Sequence, residues 1–246
     1  MRRASAATAA AVAALALCVP LLACCPAAAD SAAGAGTGAG SAAGAVPDTP
    51  SLWARSDVAL AREYGLIPPS LYNTFRSDIT RAEFCAVAMA LYHKLAPTGQ
   101  AAATGQAAAA SNGAGPFIDT DDPAVLEARD LGIIKGTGKN YFAPAAPITR
   151  QEMAVMLHNA ILAISEATGA QILPYGPDAA GLEAAAMLTF KDKAKMALWA
   201  RQAISALRSA EIMLGDEKNR FNPLDNTTKE MSFILSCRVY LMFAEP

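Results

Sequence analysis

Three stretches of this chain spell the same pattern, and that repetition limits the fold more than any single motif does. GIIKGTGKNYFAPAAPITRQEM runs from Gly132 to Met153, and EIMLGDEKNRFNPLDNTTKEM from Glu211 to Met231. Without a gap, Gly136 falls on Gly215, Asn140 on Asn219, Phe142 on Phe221, Pro144 on Pro223 and Arg150 on Lys229. A further copy, GLIPPSLYNTFRSDITRAEF from Gly65 to Phe84, aligns if two residues are missing between Phe75 and Arg81. Upstream, Trp53 and Ala54 precede Gly65 by the interval at which Trp199 and Ala200 precede Glu211. A unit of this size cannot bury an apolar face alone, so the copies must pack on one another.

Each copy reads as helix, loop, helix, and the expected fold class is all-α. The first helices carry WARSDVALAREYG, PAVLEARDLG and WARQAISALRSAE. The second helices follow the basic position. Phe84, Val87, Leu91 and Leu95 fall at helical spacing there, as do Met153, Met156, Ala160 and Ile164, and Ser232, Leu235, Val239 and Phe243. An apolar stripe of that period is a core face.

The rest of the chain is leader and linker. Arg2 and Arg3 precede an uncharged run from Ala4 to Ala29 with a small-residue end, the pattern of a secretory signal peptide over 1–29. Cleavage after Ala29 is favoured, and LLAC at 21–24 also fits a lipoprotein box that would leave a lipid anchor on Cys24. Ala/Gly-rich stretches read as flexible linkers at 30–50 and 97–115, with a less pure one at 166–187. They separate repeat one (51–96), repeat two (116–165) and repeat three (188–246, diverged).

Charge and cysteine usage exclude whole classes. The 246 residues hold 20 Lys and Arg against 22 Asp and Glu; removing 1–29 takes away two arginines and no acid, turning −2 into −4. Such a chain lacks the basic surface of a nucleic-acid binder, so any bound anion needs a local site. Of five cysteines only Cys85 and Cys237 lie beyond the leader, both inside apolar helical patterns, which argues against a disulfide framework. No second apolar run is long enough to span a bilayer.

The motif ITRQE dissects cleanly. Thr149 and Glu152 form the Ser/Thr-x-x-Glu capping box, and Thr80 and Glu83 repeat it, so these four residues have a structural explanation. The arginines do not. A helix N-terminus is partially positive and disfavours a cation. Two readings account for Arg81 and Arg150. Exposed first-turn N–H groups plus a guanidinium make a seat for a carboxylate or phosphate. Alternatively the arginine pairs with an acid of a neighbouring repeat, such as Asp119 or Asp192.

Repeat three departs from the pattern. Lys229 replaces arginine, Glu230 stands one position early and Met231 takes the glutamate's place. Thr227 to Glu230 reads as a capping box shifted by one residue, which starts the helix early and turns Lys229 by about 100°. Lysine also cannot make the planar two-pronged contact. Glu211 in place of Gly132, and Asp216–Glu217 in place of Thr137–Gly138, add acids that would repel an anionic polymer. Trp53 and Trp199 are candidates for stacking on sugar rings, although tryptophan at a helix start more often packs inward. Phe142 and Phe221 are read as core.

No catalytic constellation emerges. His93 and His158 are the only histidines and lie on separate repeats, too few for a triad or a zinc site. GTGKN at 136–140 is a turn and not a phosphate loop. Glu83 and Glu152, the conceivable carboxylate pair, are already used in capping. No catalytic residue, metal or cofactor is expected.

PFIDTDDPAVLEARDLGIIKGTGKNYFAPAAPITRQEMAVML (116–157) resembles an S-layer homology repeat: an opening Phe-x-Asp, an A-x-x-x-G-I-I-x-G turn, F-x-P, then I-T-R-x-E. Residues 53 to 91 resemble a shortened first repeat, and 188 to 231 a diverged third. The resemblance implies three repeats in one pseudo-threefold bundle. It implies a secreted, non-enzymatic protein of the bacterial cell surface, binding a secondary cell-wall polysaccharide attached to peptidoglycan. The polymer would be acidic, often pyruvylated, and held in grooves between repeats. Arg81, Arg150, Lys229, Thr80, Thr149, Trp53 and Trp199 are then the candidate contacts, Glu83, Glu152 and Glu230 the helix caps. The alternatives are a lipid-anchored scaffold for other proteins and, remotely, a carbohydrate-active enzyme.

Overall fold

The computed structural model describes residues 48–96, 117–173 and 190–244. The leader, with Ala29 and Cys24, and the larger part of each linker lie outside those residues. Six α-helices are described: α1 (Arg55–Glu63), α2 (Arg81–Leu95), α3 (Pro123–Asp130), α4 (Arg150–Thr168), α5 (Leu198–Ser209) and α6 (Lys229–Ala244). Two short 3-10 turns, Pro69–Leu71 and Lys193–Lys195, accompany them. Among the described residues the only β-type pairings are isolated bridges, so the protein is all-α.

The three first helices end alike. The Leu66, Ile133 and Ile212 amides donate to Ala61, Ala128 and Leu207, the six-to-one bond of a Schellman turn. The residue before each amide has positive φ: Gly65 at 72°, Gly132 at 71° and Glu211 at 57°. Glycine adopts this conformation freely, whereas Glu211 takes it at a cost. The turn then drives two apolar residues inward, among them Leu66 and Ile133, both fully buried.

A closed circuit joins the repeats. The Ile79 amide donates to Thr227, the Thr227 amide to Ile148 and the Ile148 amide to Ile79, at 2.9, 3.1 and 3.1 Å. These three residues are equivalent, each two positions before a second helix, and all are buried. They mark a pseudo-threefold axis. Around it every first helix lies on the second helix of the preceding repeat: α1 on α6, α3 on α2 and α5 on α4. The ring thus closes between the last repeat and the first.

The expected stripes form the core. Phe84, Val87 and Leu91 of α2, Met153, Ala160 and Ile164 of α4, and Ser232 and Val239 of α6 are all nearly inaccessible. Phe142 and Phe221 are buried as well, at 5.2 Å from Phe117 and 5.5 Å from Phe190 between ring centroids. Each such large side chain contributes about 1.5–3 kcal/mol by leaving water. Asp119 and Asp192 fix these aromatic turns: Asp119 accepts from the Phe142 and Ala143 amides, Asp192 from Phe221 and Asn222. Cys85 and Cys237 are buried free thiols, their pKa values pushed by burial up to about 12 and about 11.

The register of repeat one differs from the sequence alignment. The Glu230 amide donates to Phe75, as Ala82 does to Pro144 and Gln151 to Pro223. Phe75 therefore occupies the proline position and not that of Phe142, and the missing residues lie upstream of it. Its ring packs edge-on against Phe233, centroids 6.1 Å apart.

Candidate ligand-binding site

The seams between repeats are built where second helices begin. Thr80 and Glu83 form the capping box of α2: the Thr80 amide donates to Glu83 Oε2 at 2.9 Å, and the Glu83 amide to Thr80 Oγ1. At α4 the Thr149 amide and hydroxyl both donate to Glu152 Oε2, at 2.9 and 2.6 Å. The next two amides of each helix go to the neighbouring repeat. Arg81 and Ala82 donate to Ala146 and Pro144, Arg150 and Gln151 to Asp225 and Pro223, Lys229 and Glu230 to Ser77 and Phe75. This corrects the expectation of exposed first-turn N–H groups. They are spent on backbone carbonyls across the seam, so the positive helix end offers no open amide seat there.

The basic side chains cross the same seams. Arg81, only 7% exposed, donates from Nε to the Phe142 carbonyl at 2.8 Å and stacks over the Phe142 ring, with Cζ 4.7 Å from its centroid. Its Nη1 lies 3.3 Å from Glu152 Oε1. Lys229, equally buried, reaches Glu83 Oε1 at 2.7 Å and Thr74 Oγ1 at 2.8 Å. Arg150 is partly exposed; its Nη2 donates to the Leu214 carbonyl at 2.8 Å, and its guanidinium lies 5.1 Å over Phe221. Two capping glutamates thus serve two repeats at once, one oxygen on their own helix start and the other on a neighbour's cation. The acids anticipated for that pairing, Asp119 and Asp192, bind backbone amides instead. Burial alone would raise the Glu83 carboxyl, yet bonds to Lys229 and Thr80 hold it below its ordinary value.

The third seam corrects two further expectations. Helix α6 begins at Lys229, in register with Arg81 and Arg150, so Lys229 is not rotated away. Thr227 and Glu230 form no capping box: the Thr227 hydroxyl is buried with no hydrogen-bond partner, and its amide is committed to Ile148. Glu230 (3% exposed) instead accepts from the Ser51 amide and hydroxyl, at 2.9 and 2.8 Å. Gln151 occupies the same position in α4 and accepts from the Ala197 amide at 3.0 Å. Glu230 is therefore the counterpart of Gln151, a clamp on the start of the next first helix, and Met231 stands where the capping glutamate would be.

The clamps hold aromatic corners. Trp53 lies in the turn just ahead of α1 and is 38% exposed; Trp199, the second residue of α5, is 59% exposed. Neither is the inward-packed residue that its place at a helix start suggested. Tyr141 is also exposed. The candidates therefore divide. Thr80, Thr149, Arg81 and Lys229 are tied into the seams, whereas Arg150, Trp53 and Trp199 reach the surface. Sequence reasoning missed Gln151 and the clamp role of Glu230. The register shared by Gln151 and Glu230 was the available signal.

Catalytic groupings do not assemble among the described residues. His93, on the surface of α2, lies 3.1 Å from Glu127. His158 is buried in α4, where burial lowers its pKa. Among the described residues no group of three His, Cys, Asp or Glu side chains could hold a metal ion, and no helix is long and apolar enough to cross a membrane.

The S-layer homology domain model matches residues 119–154 and 189–230. No curated protein matches the chain. The first repeat is outside the matched segments, although its helix ends and seams follow the pattern of the other two.

Proposed function

We propose that this chain, which carries S-layer homology domain sequence in its second and third repeats, is a secreted, non-catalytic anchor. Its ligand is an acidic, pyruvylated secondary cell-wall polysaccharide attached to peptidoglycan. S-layer homology domains anchor proteins to the cell wall, and a cell-surface association follows from the match itself. The finer reading rests on one observation: Arg150 is partly exposed at a seam between two matched repeats, while its counterparts Arg81 and Lys229 are buried. A guanidinium stacked on Phe221 keeps its plane fixed and can offer a two-pronged contact to a carboxylate. In this reading Arg150 is the main contact, Trp53 and Trp199 stack on sugar faces, and Arg81, Lys229, Thr80 and Thr149 shape the groove walls. Processing after Ala29 releases the anchor, and lipidation of Cys24 is the alternative that mass spectrometry of the mature N-terminus decides.

Pull-down on cell walls, with and without their acid-labile polysaccharide, tests the reading. Binding should need the polysaccharide and fall at least tenfold in Arg150→Ala. Retention of full binding by that variant, folded by circular dichroism, would refute the role of Arg150.

A further inference from the structure

We infer that the start of repeat three, Lys191 to Trp199, docks the protein on an anionic lipid bilayer. The inference uses Trp53 and Trp199, which the polysaccharide reading also uses, but it is argued from the lysines and leucines beside them and does not depend on that reading. Lys191, Lys193 and Lys195 are exposed, as are Leu198 (76%) and Trp199 (59%). The segment is pinned by buried Phe190, Met196 and Ala200, so its outward side chains are held on a fixed backbone. Its one acid, Asp192, is turned to the Phe221 and Asn222 amides, which leaves the outer face to the three lysines. Among the described residues none of the three ammonium groups is in an ion pair.

A second apolar corner repeats the first. Leu52 is 80% and Trp53 38% exposed, and the Ser51–Glu230 clamp holds that corner as Gln151 holds Ala197. The pseudo-threefold axis places both Leu–Trp pairs at one end of the ring, where the second helices begin. Repeat two lacks such a pair because α3 starts at Asp122–Pro123 and is the shortest of the six helices.

Charge and chemistry favour a bilayer over a hydrated polymer. A solvent-covered leucine gains little from a sugar, but leucine and tryptophan together suit the boundary between headgroups and acyl chains. Lysine stems cover apolar surface while their ammonium groups meet phosphate. Without residues 1–29 the chain carries −4 (18 Lys and Arg against 22 Asp and Glu), so an anionic surface repels the remainder and orients this end toward itself.

The protein contains two tryptophans, both at these corners, which makes their fluorescence a direct readout. We expect co-sedimentation with phosphatidylglycerol-containing vesicles but not with phosphatidylcholine alone, and a blue shift on binding. Binding should weaken with salt and fall about 100-fold in the Lys191→Gln, Lys193→Gln, Lys195→Gln variant. Leu198→Ser should reduce the blue shift, leaving the part that Trp53 contributes. Absence of vesicle binding overturns the proposal, as does binding that the triple variant leaves unchanged. So does a triple variant that loses purified wall polysaccharide while the parent protein ignores vesicles, because the patch then serves the polymer.

Discussion

Lys229 of the last repeat and Glu83 of the first are joined at 2.7 Å, and the other oxygen of that carboxylate caps the helix that Arg81 begins. Arg81 in turn meets Glu152, which caps α4. Helix starts and seams are therefore one connected network. Removing Arg81 leaves the Phe142 and Lys135 carbonyls and the Glu152 carboxylate short of a donor. Arg81→Ala should lower stability by about 2–3 kcal/mol in urea unfolding. Arg150→Ala, at a partly exposed site, should cost less than half of that.

Thr227 lies on the axis with Ile79 and Ile148, its hydroxyl buried without a partner. A polar group in that position is a net cost, since water no longer solvates it. Thr227→Val keeps the branched shape and should stabilise the fold by about 1 kcal/mol. Thermal unfolding of the two proteins under one buffer measures the difference.

Glu211 should be replaceable by glycine with a gain. Its φ of 57° is the left-handed conformation that Gly65 and Gly132 adopt in the other repeats. Relief of about 1 kcal/mol of backbone strain is partly offset by the greater freedom of glycine in the unfolded chain. A rise in the urea midpoint at constant slope is the expected result.

Acid should loosen the turns and the seams together. Burial would raise Asp216, but Arg220, Asn222 and nearby amides hold it at about 2 against an ordinary 3.8. Asp119 and Glu83 are likewise held low against their burial, by backbone amides and by Lys229. Folded values below unfolded ones stabilise above the unfolded pKa, and that stability is lost as pH falls through the folded one. Stability should be flat above about pH 5 and decline from about pH 4.5 toward pH 2. Asp216→Asn should flatten that decline in a pH series of unfolding curves.

What the sequence made legible is what local chemistry decides. The repeat itself, the boxes at Thr80–Glu83 and Thr149–Glu152 and the apolar stripes all depend on residues within a turn or two of each other. What stayed hidden depends on the neighbouring repeat. Glu230 resembled a displaced cap because its partner, Ser51, lies at the far end of the chain. The helix-start amides looked available because the carbonyls of Pro144, Pro223 and Phe75 come from other repeats. Phe75 resembled Phe142 by type, yet its backbone takes the place of Pro144. Trp53 and Trp199 looked like core because packing statistics favour that, and only the clamps at Ser51 and Ala197 explain why they face outward.

The circuit through Ile79, Thr227 and Ile148 uses one donor and one acceptor from every repeat and leaves none over. An open stack of repeats grows or shrinks by a unit and needs caps at both ends. This arrangement has no ends. A fourth repeat would find no unpaired edge, and a chain with two would expose the carbonyl of one member and the amide of another. The circuit closes on the three repeats described, and the first contributes as many of its bonds as either of the two whose sequences carry the family pattern.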